Sequence, residues 1–182
     1  MVKGITKQMG ERQTLAEIKE RFSGEALPQR TLCFLIKGNQ VLLVMKRDKN
    51  VFGANRWNGP GGGLKPEDSS IEVAARRETL EETEVTPRNI KKVAILNFYF
   101  LDKSEWNQQV VVFTTHDWDG TPAETDEMVT PKWFDINKIP YGQMWESDFF
   151  WLPKVLGGKI VEGNFLYNEN QEILEHEVIE IA

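Results

Sequence analysis

The sequence predicts an α/β protein: a mixed β-sheet sandwiched between helices, with an extra helix at the N-terminus. Three observations carry this. Short β-patterned runs recur from residue 30 to the C-terminus. Two helical stretches interrupt them, at about 70–83 and 144–158. Several strands are joined by hairpin-length turns, which fits a mixed rather than a purely parallel sheet.

Taken in order, "TLAEIKERF" (Thr14 to Phe22) spaces Leu15, Ile18 and Phe22 at helical intervals, and "SGEALP" then breaks the pattern. Residues 1–29 therefore read as a helical extension, packing on the domain or on a partner, and 30–182 as the main domain. "TLCFLIKGNQVLLVMKR" is two apolar runs around Lys37-Gly38-Asn39, a hairpin. A loop rich in glycine and aromatics follows, "VFGANRWNGPGGGLKPEDS". Ser69 to Glu72 has capping-box spacing and opens a helix over about Ser70 to Thr83. "KKVAILNFYFLD" and "NQQVVVFTTHDWDG" read as two paired strands, and "PKWFDINKIP" as a short strand and turn. "MWESDFFWLPKVLGG" reads as a helix whose Phe149, Phe150 and Trp151 belong to the core. "KIVEGNFLYN" and "EILEHEVIEI" complete the sheet.

Composition bounds the function. At 182 residues the chain is long enough for one domain with a real core. A net charge of -6 argues against a nucleic-acid polymer as partner, which needs a basic surface, but not against a small anionic ligand. Cys33 is the single cysteine, so no intramolecular disulfide forms. No apolar run reaches membrane-spanning length, so a cytoplasmic protein with no membrane partner is expected. A monomer is expected, with the N-terminal helix as the element available for dimerisation.

Chemistry concentrates where Gly59-Pro60-Gly61-Gly62-Gly63 feeds the helix carrying Glu78, Glu81 and Glu82. Glycines let backbone approach a ligand closely, and carboxylates three and four apart share one helix face. Oxygen ligands of this kind suit a hard divalent cation that also holds substrate phosphates. A solvated helix face with an Arg77–Glu81 ion pair is the plainer alternative.

"GGGLKPEDSSIEVAARRETLEETEV" resembles the box of the Nudix hydrolases, G-x5-E-x7-R-E-U-x-E-E-x-G-U, where U is a bulky aliphatic. Arg77-Glu78 and Glu81-Glu82 match. Read from Gly62, the first acid falls on Asp68, and eight residues rather than seven separate it from Arg77. Either one residue is inserted before the helix, or Gly63 is the box glycine and Ser69 replaces the acid. The insertion keeps Gly61-Gly62 in place after Pro60 and is preferred. Thr79 stands where an aliphatic is usual. Glu84 stands where glycine usually ends the helix, so a different helix end is expected.

The resemblance implies Mg²⁺, with Mn²⁺ as a substitute, held by Glu78, Glu81, Glu82 and the Gly61 carbonyl, with Arg77 orienting the carboxylates. Glu127 in "ETDEM" would be a further ligand or general base. Regions beyond the box resemble the MutT-homologue branch, which converts oxidised purine nucleoside triphosphates such as 8-oxo-dGTP to the monophosphate and pyrophosphate, sanitising the nucleotide pool. By that resemblance Thr31 and Asn58 are polar base-pocket residues, Phe52 and Trp145 sandwich the base, and Met128 lines the pocket. Asp148 is the second acid of a pair whose first member here is Ser147. Preference for the 8-oxo base is therefore expected to weaken. The alternatives are a Nudix hydrolase of another nucleoside diphosphate derivative, such as a dinucleoside polyphosphate or nucleotide sugar, or a non-catalytic nucleotide-binding module.

Overall fold

The computed structural model describes residues 13–49 and 53–182. Its elements run α1 (Leu15–Arg21), β1 (Gln29–Lys37), β2 (Gln40–Lys46), β3 (Trp57–Asn58), α2 (Ile71–Thr83), β4 (Thr86–Arg88), β5 (Lys91–Phe100), β6 (Gln108–Thr115), β7 (Asp117–Asp119), β8 (Met128–Asp135), α3 (Asp148–Leu156), β9 (Val161–Tyr167) and β10 (Ile173–Glu180). The main sheet has the order β10-β9-β5-β6-β1-β2-β3, with β8 also pairing β2. It is mixed: β1 with β6 and β5 with β9 are parallel, and the other pairs are antiparallel.

Residue alternation sends each strand's side chains to two faces. Cys33, Val111 and Phe113 meet Ala75 of α2 on one face. Phe34, Leu96, Val112 and Phe165 meet Trp151, Leu152 and Val155 of α3 on the other. The expected sandwich is therefore present. Helix α1 lies on the same face as α2, burying Leu15 and Ile18 against Tyr99 and Leu166. Each such aliphatic contributes roughly 1.5–3 kcal/mol when fully buried. Thr14 and Glu17 close a capping box at its start. Among the described residues, no helix is long and apolar enough to cross a membrane.

The hairpin forms as expected, with Gly38 at φ +59 in a two-residue turn between Lys37 and Gln40. Several local expectations are corrected. Helix α2 is capped by Ser70, whose side chain accepts from the Val73 N–H, so the cap lies one residue after Ser69. Glu84 ends the helix in the left-handed conformation (φ 60, ψ 19), taking the place of a glycine despite its Cβ. Thr79 is fully buried and its hydroxyl donates to the Ala75 carbonyl at 2.7 Å, which satisfies it inside the helix. The strand read through "NQQVVVFTTHDWDG" breaks at His116, and β7 pairs with β4 in a separate two-stranded sheet. Phe149 is 61 % exposed rather than core, because α3 turns Trp151 and Leu152 inward instead.

Candidate active site

The glycine loop runs alongside β1 like an added strand. Cys33 N–H donates to the Pro60 carbonyl and Thr31 N–H to the Gly62 carbonyl, both at 2.8 Å. Leu64 N–H donates to the Gln29 carbonyl at 3.1 Å. Gly61 then faces the opposite way, and its N–H donates to Glu82 at 2.8 Å. An extended residue projects its N–H and C=O to the same side, so the Gly61 carbonyl shares that side. A Cβ on Gly61 would sit 2.0 Å from the Thr31 carbonyl oxygen, and one on Gly62 would sit 2.3 Å from Glu78 Oε2. Only glycines allow this loop to lie between β1 and the acidic helix.

Arg77 organises the acids of that helix. Its guanidinium bonds both carboxylate oxygens of Asp68 (3.0 and 2.7 Å), Glu78 Oε1 (2.7 Å), Glu81 Oε2 (3.0 Å) and the Gly63 carbonyl (3.1 Å). Hydrogen bonding to Asp68 holds Arg77 well above its ordinary pKa, and in return Arg77 holds Asp68 down to about 2. Asp68 is thus geometrically the acid that faces Arg77, as the inserted-residue alignment requires. Ser69 makes no such contact among the described bonds. Glu81 is turned outward, also meeting Lys65 at 3.4 Å. Glu82 is 3 % exposed. Burial pushes its carboxyl up to about 8; the Gly61 N–H opposes this, the charges of Glu78 and Glu127 add to it, and Lys46 opposes it. Glu127 itself is exposed, with its backbone N–H on Thr125 Oγ1. The donors here are oxygens, the ligand type a hard divalent cation takes, but among the described residues no three of these acids are grouped closely enough to form a ready-made cation site, and Arg77 and Lys65 already pair with several of them.

A cleft opens beside Glu82. Thr31, Asn58, Gly61, Met128, Trp145, Ser147 and Asp148 all line it, so residues separated by more than a hundred positions meet there. Phe52 lies outside the described residues. Glu78, Glu81 and Glu127 stand beyond the cleft wall. Asn58 Oδ1 accepts from the Gly59 N–H at 2.8 Å, leaving its amide hydrogens for a ligand. Asp148 accepts from Trp151 Nε1 at 3.1 Å and from the Trp145 N–H at 3.2 Å. Burial nevertheless pushes its carboxyl up to about 7, while those two donors and the Arg56 charge pull the other way.

Sequence reasoning passed over Arg30, Lys46, Arg56 and Tyr167, which also line the cleft. Arg56 lies over the Trp145 ring, 4.0 Å from its centroid, and donates to Gln171 at 3.3 Å. Its place two residues before Asn58 was the available clue. Tyr167 arrives from β9, far from every motif, and nothing local marked it.

Comparison with known proteins agrees with this geometry. A family model described as the NUDIX domain matches residues 26–155. The chain is 41 % identical over 151 residues to an oxidized purine nucleoside triphosphate hydrolase of Danio rerio, covering 83 % of this chain and 94 % of the other. It is 36 % identical over 151 residues to the protein of that name from Mus musculus, with the same coverages. A mutator MutT protein from Bacillus halodurans has the same fold, with a TM-score of 0.73 at 23 % identity over 84 % of this chain and 97 % of that one. This chain belongs to the Nudix family of hydrolases.

Proposed function

We propose that this protein is a Mg²⁺-dependent pyrophosphohydrolase of oxidised purine nucleoside triphosphates, 8-oxo-dGTP among them. The observation that carries this is a single cleft joining the glycine loop and buried Glu82 to a polar and aromatic set of Asn58, Trp145 and Asp148. Relatives named for that activity, at 41 % and 36 % identity, support the same reading. Nudix hydrolases work with a divalent cation. Glu78, Glu81, Glu82, the Gly61 carbonyl and Glu127 would hold it, and Mn²⁺ would substitute. When bound, it supplies charge to the triphosphate oxygens and lowers the pKa of the attacking water. Arg77 keeps Glu78 and Glu81 in place, and the loop backbone lets the triphosphate pass close to β1. Trp145 stacks on the purine, with Phe52 as its partner across the base. Asn58, Thr31, Ser147 and Asp148 bond the base's polar atoms, and Met128 packs against it. Overall, water adds to phosphorus as an anhydride P–O bond breaks, releasing monophosphate and pyrophosphate.

Residues 1–29 serve as a helical extension of a catalytic domain over 30–182. The seating of α1 on β5 and β9 of its own chain supports a monomer. A single, buried cysteine supports a reducing compartment such as the cytoplasm.

Hydrolysis of a panel of canonical and oxidised purine triphosphates, with and without Mg²⁺, tests the proposal. Release of monophosphate and pyrophosphate only with the metal is expected. Activity confined to dinucleoside polyphosphates or nucleotide sugars, or binding without turnover, would overturn it.

A further inference from the structure

The turn between β9 and β10, residues 168–172, lies outside every site motif, yet it is tied to both walls of the cleft. On one side Arg56, in the loop before β3, donates from Nη1 to Gln171 Oε1 at 3.3 Å. On the other, the Ile173 N–H donates to Glu146 Oε2 at 3.1 Å, and Glu146 directly follows Trp145. The circuit closes because the Arg56 guanidinium lies over the Trp145 ring, 4.0 Å from its centroid. Arg56 and Trp145 both line the cleft and both are half-buried, so they stand at its open side. Three segments far apart in sequence are thus tied around one indole.

The turn is built to hold that position. Asn168 Oδ1 accepts from the Asn170 and Glu172 N–H groups at 2.9 and 3.0 Å, and its amide donates to Glu172 Oε2 at 2.7 Å. The Asn168 N–H donates to the Glu172 carbonyl at 3.1 Å. Gln171 sits at φ +63, a left-handed conformation that glycine adopts freely and glutamine adopts only at a cost. Such conformations persist where the surrounding structure demands them. Here the side chain held at that cost is the one that reaches Arg56. Arg56 forms no ion pair among the described residues; its contacts are one amide oxygen and one aromatic face. A planar guanidinium can do both at once, stacking on a ring while bonding in its own plane. An indole has two faces, so with one under Arg56 a flat ligand can stack only on the other.

We propose that Arg56 and Gln171 are positioning residues: the β9–β10 turn straps the two walls of the cleft together, and Arg56 pins the Trp145 indole so that a purine stacks on the face left open. The inference rests on the cleft being a purine nucleotide site. Both residues act through Trp145 rather than on the phosphates, so the strap governs base capture and not the hydrolytic step.

Gln171→Gly is the test, because it deletes the bond to Arg56 while easing the backbone. Its melting temperature should stay within about 3 °C of wild type. KM for dGTP and 8-oxo-dGTP should nevertheless rise about threefold to tenfold, with kcat changed less than about twofold. Gln171→Glu restores a partner for Arg56 at the same backbone conformation and should keep KM within about twofold of wild type. Arg56→Met should match or exceed Gln171→Gly, and the double variant should be no worse than Arg56→Met alone, since the two act in series. Inhibition by inorganic tripolyphosphate, which has no base, should be unchanged throughout. A KM unmoved in Gln171→Gly, a loss in kcat instead of KM, a melting temperature that falls along with activity, or weakened tripolyphosphate inhibition would overturn the proposal. Calorimetric binding of GMP needs no turnover and should weaken by the same factor as KM rises. If wild type hydrolyses no purine triphosphate but binds GMP, and Gln171→Gly weakens that binding, the triphosphatase reading fails while the strap stands. GMP binding that is equal in wild type and Gln171→Gly, or absent from both, overturns the strap.

Discussion

Three adjacent glycines, Gly61, Gly62 and Gly63, should give three different results when each is changed to alanine. At Gly61 the new Cβ would lie 2.0 Å from the Thr31 carbonyl oxygen and 2.9 Å from Leu32 Cα, both backbone atoms of β1 that cannot step aside. Overpacking typically costs about 1–3 kcal/mol, and unyielding backbone neighbours put this site at the upper end, about 3 kcal/mol. In a chain of this size that lowers the melting temperature by about 6–12 °C. At Gly62 the clash is with Glu78, whose carboxylate oxygens would be 2.3 and 2.8 Å away. A glutamate tip can swing. Glu78 then leaves its 2.7 Å bond to Arg77, a partly exposed pair worth up to about 1 kcal/mol. Restricting the unfolded chain returns about 0.4–1 kcal/mol, so Gly62→Ala should melt within about 3 °C of wild type. Its activity should fall at least about a hundredfold, because a proposed ligand is displaced. At Gly63 nothing lies within 4 Å, so alanine should raise the melting temperature by about 1–4 °C and leave turnover intact. Scanning fluorimetry and a pyrophosphate-release assay read all three. A Gly62→Ala protein that keeps full activity, or melts as low as Gly61→Ala, would refute this account of the loop.

Two further outcomes follow from the same structure. Glu82 and Asp148 have folded-state pKa values raised from 4.5 to about 8 and from 3.8 to about 7, so the folded protein holds protons that the unfolded chain releases. Metal-free protein should therefore lose stability progressively as pH rises from about 4 to about 8, and Glu82→Gln and Asp148→Asn should each flatten that slope in melting curves. A slope unchanged in both variants would count against buried, proton-holding carboxyls. Glu84 sits at φ 60, so Glu84→Gly should raise the melting temperature by about 1–4 °C with no effect on activity; a fall would mean that its Cβ carries contacts that outweigh the strain.

What the sequence made legible divides along physical lines. Helix α2, α3 and the tail strands were readable because each is long enough for its own periodicity to outweigh local noise. β3, with two residues, and β4 and β7, with three each, were not, because pairing with distant partners defines them. The αL end at Glu84 was misjudged for a related reason: tertiary packing overrode a local preference of about 1 kcal/mol. In the candidate site the same rule holds. Asp68, Arg77, Glu78 and Glu82 lie on one loop and one helix, where spacing alone brings them together. Trp145, Ser147 and Asp148 were placed only through family resemblance, and Tyr167 escaped that as well.

Charge shows most clearly why the rest stayed hidden. A net charge of -6 describes the whole chain, whereas a ligand responds to the groups around it. The cleft is lined by Arg30, Lys46 and Arg56 against Glu82 and Asp148. Burial pushes both of those acids toward their neutral forms at neutral pH. The lining is therefore cationic inside an acidic protein, before any metal is considered. These three arginine and lysine side chains come from β1, β2 and the glycine-loop approach, and no run of basic residues announces them. An anionic nucleotide thus meets attraction at the cleft and repulsion over the remaining surface. That contrast favours entry at this one mouth, and it exists only once β1 and β2 are folded against the loop.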